Sequence, residues 1–421
     1  MSDRLRFLLN RFSERLWGKP LAMCVLSVAG AFLAKMADEI EAGQYVPEIT
    51  SDSIETLLTI ISASMMVIAT LAVASMVSAY ASAGSTATPR TFPLVISDDV
   101  SQNALSSFIG AFIFSIVALI ALQNGYYERA GRFALFVLTL LVFGIVILTF
   151  VRWVDRIARL GRLGGTIDKV EAATAAALQR RRRQPRLRGV PVNLRRKGAQ
   201  AVYGEVIGYV QRIDVPALQK YAETSQFRIA VAALPGTFAA PGRALAYVTV
   251  DSGAVTDLDS SQIAQAFLIG DDRIFDEDPR FGLVVLSEIA SRALSPAVND
   301  PGTAIDIIGT FVRLFTAWIA PIAEGDTPPP ECDRVEVPEL SLRDMFDDSF
   351  TPIARDGAGA VEVMSRLQKA LESLASIENG TIRDVAKRHA RLALARAEKA
   401  LTLPEDLEVV RELAKFAGSV R

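Results

Sequence analysis

Long apolar runs and charged stretches occupy different parts of this chain. Four apolar runs fall in the first third, at residues 17–36, 54–80, 104–122 and 133–153. A helix needs roughly 20 apolar residues to cross a hydrocarbon core about 30 Å thick. Aromatic residues, which favour the headgroup level, lie at the ends of these runs: Trp17, Tyr80, Tyr126, Tyr127 and Trp153. The pattern therefore predicts a domain of four transmembrane helices in residues 1–155.

Lys and Arg residues predict how these helices are oriented. The N-terminal arm carries Arg4, Arg6, Arg11, Arg15 and Lys19, whereas the loop from Asp38 to Glu55 is acidic. Further arginines follow the fourth helix, including the run Arg180 to Arg183. Because cytoplasmic loops carry an excess of Lys and Arg, both termini are expected on the cytoplasmic side of a bacterial inner membrane.

The remaining residues predict a cytoplasmic α+β region. Residues 156–199 are interpreted as an amphipathic stem, continuing the fourth helix, and a basic linker. Residues 200–256 contain short β-like runs with turns at Pro235-Gly236 and Pro241-Gly242, which predict a small barrel-like β domain. Residues 257–421 are expected to be helical, in segments near 260–270, 280–295, 301–321, 341–355, 359–376, 380–402 and 405–418.

Composition narrows the classes of function. The chain has one histidine, His389, and two cysteines, Cys24 and Cys332, in unrelated contexts. No phosphate-binding loop, dinucleotide fingerprint, zinc signature or nucleophile elbow is present in the sequence. We therefore expect no enzyme, cofactor or nucleic-acid partner, and His389, in a charged helical pattern, is expected at the surface.

Two charged segments are candidate binding sites. The first is acidic and contains Asp271, Asp272, Asp276 and Asp278, which either hold a divalent cation or form solvated turns and helix caps. The second is the run Arg180, Arg181, Arg182 and Arg183. This run either binds anionic lipid headgroups, at about 1 kcal/mol per charge, or serves only as a positive-inside signal.

A stripe of hydroxyl groups distinguishes the second apolar run. At about 100° per residue, five serines fall within about 80° of one another: Ser64, Ser75, Ser78, Ser82 and Ser85. Small hydroxylated residues allow close helix packing, and they also line aqueous pores. Both interpretations of the stripe remain open at the level of sequence.

The segment RALSPAVNDPGTA, residues 292–304, is the most distinctive polar motif. Ser295-Pro296 ends one helical pattern, and Asp300-Pro301 begins the next with a capping side chain followed by proline. The segment is interpreted as an interhelical turn. Four of its residues are also candidates for a ligand or subunit contact: Arg292, Ser295, Asn299 and Asp300.

The chain resembles a widespread family of predicted bacterial membrane proteins known only as a domain of unknown function. The resemblance rests on SASMMVIAT, LSSFIGAFIF, GYVQRID, LPGTFAAPGRAL and, above all, DPRFGLVVLSEIASRALSPAVNDPGTA. These motifs cover most of residues 55–315. The resemblance implies a four-helix membrane unit with a cytoplasmic domain, and it supplies no activity or catalytic residue.

Three functions remain under consideration. The first is a homo-oligomeric, channel-like pore in the lipid bilayer, gated or assembled by the cytoplasmic domain. The second is a membrane-anchored sensor or scaffold whose cytoplasmic domain binds a ligand or protein near anionic lipid. The third is a metal-dependent enzyme that uses the acidic segment.

Overall fold

The structure is a computed structural model that describes residues 17–39, 46–96, 98–157, 162–193, 198–250, 255, 258–322 and 328–418. The chain divides into two compact units, the first ending at Thr166 and the second beginning at Ile167. The N-terminal basic residues that predict the orientation, Arg4 to Arg15, lie outside the described residues.

In the part of the first unit that the structure describes, there are four long α-helices and one short one. Their bounds are α1 Gly18–Met36, α2 Ser51–Thr86, α3 Phe92–Ile96, α4 Asp99–Gln123 and α5 Arg129–Ile157. The long helices contain all four predicted runs, apart from Trp17 at the start of the first. Helices α2, α4 and α5 extend a few residues beyond their apolar runs because polar residues form their first or last turns, whereas α1 begins one residue later than its run and ends with it.

The count of four spans is not confirmed. In the described residues, five helices are long and apolar enough to cross a membrane. The fifth, Pro301–Ile319, lies in the second unit and coincides with a segment that the sequence analysis assigns to the cytoplasm. It carries two charged residues in its interior, Asp306 and Arg313. The other apolar runs have no charged residue so far from their ends.

Helix α4 is the central helix of the first unit. It packs against α1, α2 and α5, and its buried face includes Phe108 and Phe114. At Gly110 the approach of α1 is close, since a Cβ atom would lie 3.2 Å from Met23 Cβ and from Ser27 Oγ. Small residues permit such close helix packing in membranes, where burial of apolar surface drives association only weakly.

Polar contacts connect the helices mainly at their ends. At one end, Lys19 Nζ donates to Asp99 at 2.5 Å, and Arg156 donates to Asp98. At the other end, Asp38 accepts backbone hydrogen bonds from Glu128 and Gly131. The N-terminal ends of α1 and α4 therefore lie beside the C-terminal end of α5, as in an up-and-down bundle.

The described residues of the second unit form eight strands and several helices. The strands are β1 Gly189–Val190, β2 Gln200–Tyr203, β3 Gly208–Ile213, β4 Phe227–Val231, β5 Phe238–Ala239, β6 Ala244–Val250, β7 Phe267–Gly270 and β8 Cys332–Glu336. The helices are α6 Leu163–Arg183, α7 Val215–Thr224, α8 Ser260–Gln265, α9 Pro279–Ala293, α10 Pro301–Ile319, α11 Leu342–Asp356, α12 Val361–Ala375, α13 Gly380–Ala400 and α14 Pro404–Leu413. Residues 158–161, where the sequence predicts a continuous stem, lie outside the described residues.

The expectation of a small barrel-like β domain is wrong. The described strands form two open sheets, one of five strands in the order β1-β8-β4-β6-β2 and one of three in the order β5-β3-β7. Strand β8 pairs in parallel with both β1 and β4. Strand β8, which comes late in the chain, therefore lies between β1 and β4. A barrel built only from neighbouring strands of residues 200–256 would not have this order.

The predicted turns and most predicted helices are confirmed. Gly236 and Gly242 have φ angles of +91° and +78°, a conformation that glycine adopts without strain. Asp300 caps α10, as its position before Pro301 predicts. The predicted segment 260–270 is the exception, because it divides into helix α8 and strand β7. Phe267 lies in the sheet core, which explains why the apolar residues there leave the helix.

The expectation that His389 lies at the surface is wrong. His389 belongs to the buried face of α13, together with Ile382, Ala386 and Ala393. Its ring lies 5.5 Å from the Phe346 ring, and Nε2 lies 2.9 Å from the Asp347 carboxylate. Burial lowers the pKa of His389, while its hydrogen bonds to the Val385 carbonyl and to Asp347 act in the opposite direction. Its neighbours in sequence are charged, which suggests a surface position, but the helical period places His389 on the buried face.

Candidate sites in the two units

The serine stripe lies on the outer surface of the first unit. Ser64, Ser78 and Ser85 are exposed, and Ser75 and Ser82 are partly exposed. The opposite face of α2 packs into the bundle through a row of apolar residues: Ile54, Leu58, Ile61, Met65, Ala72 and Met76. The stripe therefore does not belong to the core of its own bundle.

The serine stripe is part of a longer exposed face with a seven-residue period. Small residues predominate in its second half, where Ala74, Ser78, Ala81 and Ser85 are all exposed at alternating spacings of four and three. Val67 and Leu71 continue the same face toward the start of α2. A face of this kind allows two helices to approach closely, as in small-xxx-small interfaces.

The motif RALSPAVNDPGTA forms the turn between α9 and α10. The Ser295 carbonyl accepts hydrogen bonds from the Val298 and Asn299 amides, and the Ser295 hydroxyl donates to the Arg292 carbonyl. Asn299 adopts a positive φ of 50°, which asparagine tolerates better than most residues. Asp300 accepts from the Thr303 amide and hydroxyl, and these bonds lower the pKa of Asp300.

This turn accounts for three of the four candidate residues. Ser295, Asn299 and Asp300 are explained by backbone geometry and capping. The Arg292 side chain is exposed, beside an exposed tip formed by Pro296, Ala297 and Val298. The part of the motif available to a partner is therefore this tip and Arg292.

The four acidic candidates do not meet at one point. Asp271 and Asp272 are exposed, whereas Asp278 is buried and caps α9 by accepting from the Phe281 amide. Arg273 Nε donates to Asp278 at 2.7 Å. In the part of the chain that the structure describes, no group of three His, Cys, Asp or Glu side chains is arranged to hold a metal ion.

Asp278 also explains the glycine in the motif LPGTF. A Cβ atom at Gly236 would lie 2.2 Å from the Asp278 carboxylate, and the Gly236 φ angle is positive. Burial raises the pKa of Asp278, and the Arg273 hydrogen bond acts against that rise. The motifs LPGTF and DPRFG, distant in sequence, thus meet at one carboxylate.

The run Arg180 to Arg183 is helical, because α6 continues through it, and only Arg183 is exposed. Arg180 donates to the Asp276 carbonyl at 2.6 Å. Arg182 donates to three carbonyls at the C-terminal end of α10, those of Ala317, Ala320 and Pro321. Most of this run therefore makes contacts within the second unit, and Arg183 is the member whose exposure suits a headgroup contact.

Arg181 is the unusual member of the run. Its side chain is buried, the residue being 4% exposed, and none of its three guanidinium nitrogens has a hydrogen-bond partner among the described residues. Burial lowers the pKa of Arg181 to about 10, although the charges of Glu277 and Asp278 oppose this shift. Arg181 therefore remains a cation at neutral pH.

The helical period could have identified Arg181 from sequence. The buried residues of α6 recur at three- and four-residue spacing: Val170, Thr174, Ala177, Leu178 and Arg181. Arg181 continues this buried row, whereas Arg183 does not fit its spacing and is exposed. Composition alone suggests a solvated cationic run, and the period shows which arginine faces inward.

Charged groups from three elements surround Glu277. Burial raises the pKa of Glu277, while the positive charges of Arg212, Arg180 and Arg181 lower it. Arg212 lies on β3, the other two arginines lie on α6, and Glu277 lies just before α9. We call this set, together with Asp276, the arginine–carboxylate cluster.

Comparisons with known proteins agree with the resemblance found in the sequence. Residues 13–373 match the profile of the family described as "Predicted membrane protein (DUF2254)". Uncharacterized protein Rv1290c of Mycobacterium tuberculosis and Uncharacterized protein Mb1321c of Mycobacterium bovis are each 34% identical over 105 residues. That match covers 24% of this chain and 20% of each relative, so the aligned part is about a fifth of the relatives' length. No solved structure matches the chain.

Because the family profile spans most of the chain, the suspected membership is confirmed, and the protein belongs to the DUF2254 family of predicted membrane proteins.

Proposed function

We propose that the protein is a homo-oligomeric, channel-like pore of the bacterial inner membrane, which the second unit assembles or gates. The observation that carries this proposal is the exposed, serine-bearing face of α2. The described helices of the same chain leave this face uncovered. Several copies around one axis would bring the serines of neighbouring α2 helices together, and cyclic symmetry is the usual arrangement of such assemblies.

The interior of a single bundle is a poor path for a polar solute. Ile61, Met65 and Phe108 belong to one apolar cluster between α2, α4 and α5. Phe114 and Leu135 belong to a second such cluster. A conducting path therefore has to lie between copies, and the serine face is the most polar surface of α2 for that purpose.

The proposed pore would contain no fixed charge along α2. The sequence between Glu55 and Arg90 has no Asp, Glu, Lys, Arg or His. Hydroxyl groups can replace part of the hydration shell of a solute without favouring either sign of charge. We therefore propose weak charge selectivity in this part of the path.

Cysteine accessibility tests this proposal. In a background with Cys24→Ser and Cys332→Ala, Ser78→Cys should react with a charged, membrane-impermeant thiol reagent in intact membranes. Val77→Cys is the matched control, because Val77 is the preceding residue, 59% exposed, and lies about 100° around the helix. It should face lipid and remain unmodified. Labelling is read by mass shift of the purified protein.

The opposite labelling pattern would reject a water-filled path. If Ser78→Cys remains unmodified but forms a disulfide-linked dimer under oxidation, the face is a dry contact between copies. Purified protein in liposomes provides the functional measurement. A pore should release a small polar dye or pass current, and Ser78→Asp should make that current cation-selective.

Topology is the second part of the proposal: four spans, with both termini cytoplasmic. Helix α10 would then remain outside the bilayer, although it is apolar enough to span it. Two features support this assignment. Arg313 on α10 donates to Glu171 at 2.7 Å, and Phe311 and Phe315 pack into an aromatic cluster of the second unit.

Reporter fusions distinguish four spans from five. With four spans, a C-terminal fluorescent reporter that folds only in the cytoplasm should be bright. A C-terminal alkaline phosphatase, which needs the periplasm, should be inactive. With five spans both signals would be reversed, provided that an N-terminal fusion gives the cytoplasmic result in the same strain.

A membrane-anchored sensor or scaffold is the second candidate function. The observation in its favour is the arginine–carboxylate cluster, which adjoins in sequence Asp278, the carboxylate at which the motifs LPGTF and DPRFG meet. For a sensor, liposomes carrying the protein should stay impermeable under all conditions, while the second unit responds to a ligand. Contact of Arg183 with anionic lipid belongs to this candidate.

A further inference from the structure

We propose that Arg181 and its neighbours form a binding site for an oxyanion, such as a carboxylate or a phosphate group. This site is distinct from the α2 face and does not depend on pore function. The starting observation is that the buried Arg181 guanidinium lacks hydrogen-bond partners among the described residues. Such a group has five N–H donors and costs several kcal/mol to bury unpaired.

Neighbouring contacts keep Arg181 buried. Arg180 is bound to Asp276, and Arg182 is bound to the carbonyls at the end of α10. Lower on the same helix, Thr174 contacts α9 so closely that a Cβ atom at Gly282 would lie 1.9 Å from its hydroxyl. Rotation of α6 to bring Arg181 into solvent would break these contacts. The unpaired guanidinium is therefore a fixed feature of this packing.

The nearby carboxylates do not fulfil the hydrogen-bonding needs of Arg181. Asp278 is occupied by Arg273 and by the Phe281 amide. Glu277 interacts with Arg181 through charge, and no hydrogen bond joins the two in the described structure. Among the described residues, Arg181 therefore has long-range charge compensation but no acceptor in contact with its N–H groups.

The charge balance indicates the sign of the missing partner. Around Glu277 there are three guanidinium groups, those of Arg180, Arg181 and Arg212, and two carboxylates, those of Asp276 and Glu277. Asp278 and Arg273 form a separate neutral pair. Arg181 lacks a hydrogen-bond acceptor among the described residues, so an anion is the partner that both its charge and its N–H groups would favour. The planar fork of a guanidinium matches two oxygens of a carboxylate or phosphate.

Ligand-dependent stability of the full-length protein tests the site. In an uncharged detergent, sodium phosphate or sodium acetate should raise the unfolding midpoint of the wild type by several degrees over sodium chloride of equal ionic strength. Arg181→Met should abolish this rise, whereas Arg183→Met, in the same run but exposed, should retain it. A rise that persists in Arg181→Met is a general salt effect and would overturn the proposal.

The same variants separate a ligand site from an internal ion pair. In chloride alone, Arg181→Met should be at least as stable as the wild type, because it removes an unpaired buried charge and preserves volume. A clear loss of stability would mean that Arg181 is satisfied within the protein, which contradicts the proposal. Calorimetric titration of the wild type with phosphate gives a result that does not depend on folding of the variants. Absence of binding there, together with no response to acetate or lipid, also contradicts it.

Two sources of the oxyanion can be distinguished by nanodiscs. If a lipid headgroup is the ligand, wild-type protein should be more stable in nanodiscs with phosphatidylglycerol than in phosphatidylcholine alone, and Arg181→Met should not respond. If the ligand is a soluble metabolite, phosphate or acetate should act and the lipid change should not. Either pattern supports an oxyanion at Arg181, and a lack of response in both contradicts it.

Discussion

Phe346→Ala is expected to reduce the free energy of unfolding of the second unit by about 3–5 kcal/mol, the range for a large core side chain truncated to alanine. Phe346 is fully buried, and its ring lies 4.4 Å from that of Phe315 and 5.1 Å from that of Phe350. The substitution removes contacts with α10 and with His389 at the same time. Thermal unfolding of the full chain, followed by circular dichroism, measures the loss.

Phe238→Ala is the control for Phe346→Ala. Phe238 is 40% exposed and contacts mainly Tyr209, so the same truncation should cost less than half as much. Equal losses at the two positions would contradict the assignment of Phe346 to the core. Such a result would also weaken the case that α10 belongs to this core, since Phe315 lies on α10.

Asp98→Ala is expected to destabilise the membrane unit by about 3 kcal/mol. Asp98 is 4% exposed, and one of its oxygens accepts from Arg156 Nε at 3.0 Å and Nη2 at 2.5 Å. The other oxygen caps α4 by accepting from the Ser101 amide and hydroxyl. Loss of the cap should cost about 1 kcal/mol. Loss of the pair should cost about 2 kcal/mol, less than for a fully buried pair, because Arg156 is partly exposed.

Asp99→Ala is the control for Asp98→Ala. Asp99 is the next residue and pairs with Lys19, but its side chain is largely exposed, so the loss should stay below about 1 kcal/mol. Unfolding by titration with a denaturing detergent in mixed micelles gives both values. If Asp98→Ala behaves like Asp99→Ala, the pair with Arg156 does not stabilise the bundle. The double variant Asp98→Asn, Arg156→Met should recover part of the loss.

The long apolar helices of the first unit could be predicted from sequence because a single physical requirement determines their length and composition. A span must contain about 20 apolar residues, and this signal is local. The same criterion also selects α10, since a helix that packs into the core of a folded unit and a membrane helix can share their composition. Asp306 and Arg313 are charged, unlike typical lipid-facing residues. Their charges alone do not show where α10 lies, because a partner such as Glu171 is far away in sequence and cannot be recognised from it.

The caps and turns were also predictable, for local reasons. Asp300 and Pro301 determine how α10 begins, and Gly236 permits a backbone conformation that other residues resist. The sheet order was not predictable, because strand β8 pairs with β4 across a long separation in the chain. His389 was expected at the surface because its neighbours in sequence are charged, whereas the helical period places its side chain inside, as it also does for Arg181.

The position of β8 in the five-stranded sheet also has a consequence for biogenesis. Strand β4 pairs on one side with β6, which follows soon after it, and on the other side with β8, which is made only after helices α8 to α10. A ribosome will have released β4 well before β8 emerges. Until then β4 presents an open strand edge, which tends to pair with other chains. We expect truncations before Cys332 to be captured by chaperones or proteases although their membrane helices are already inserted.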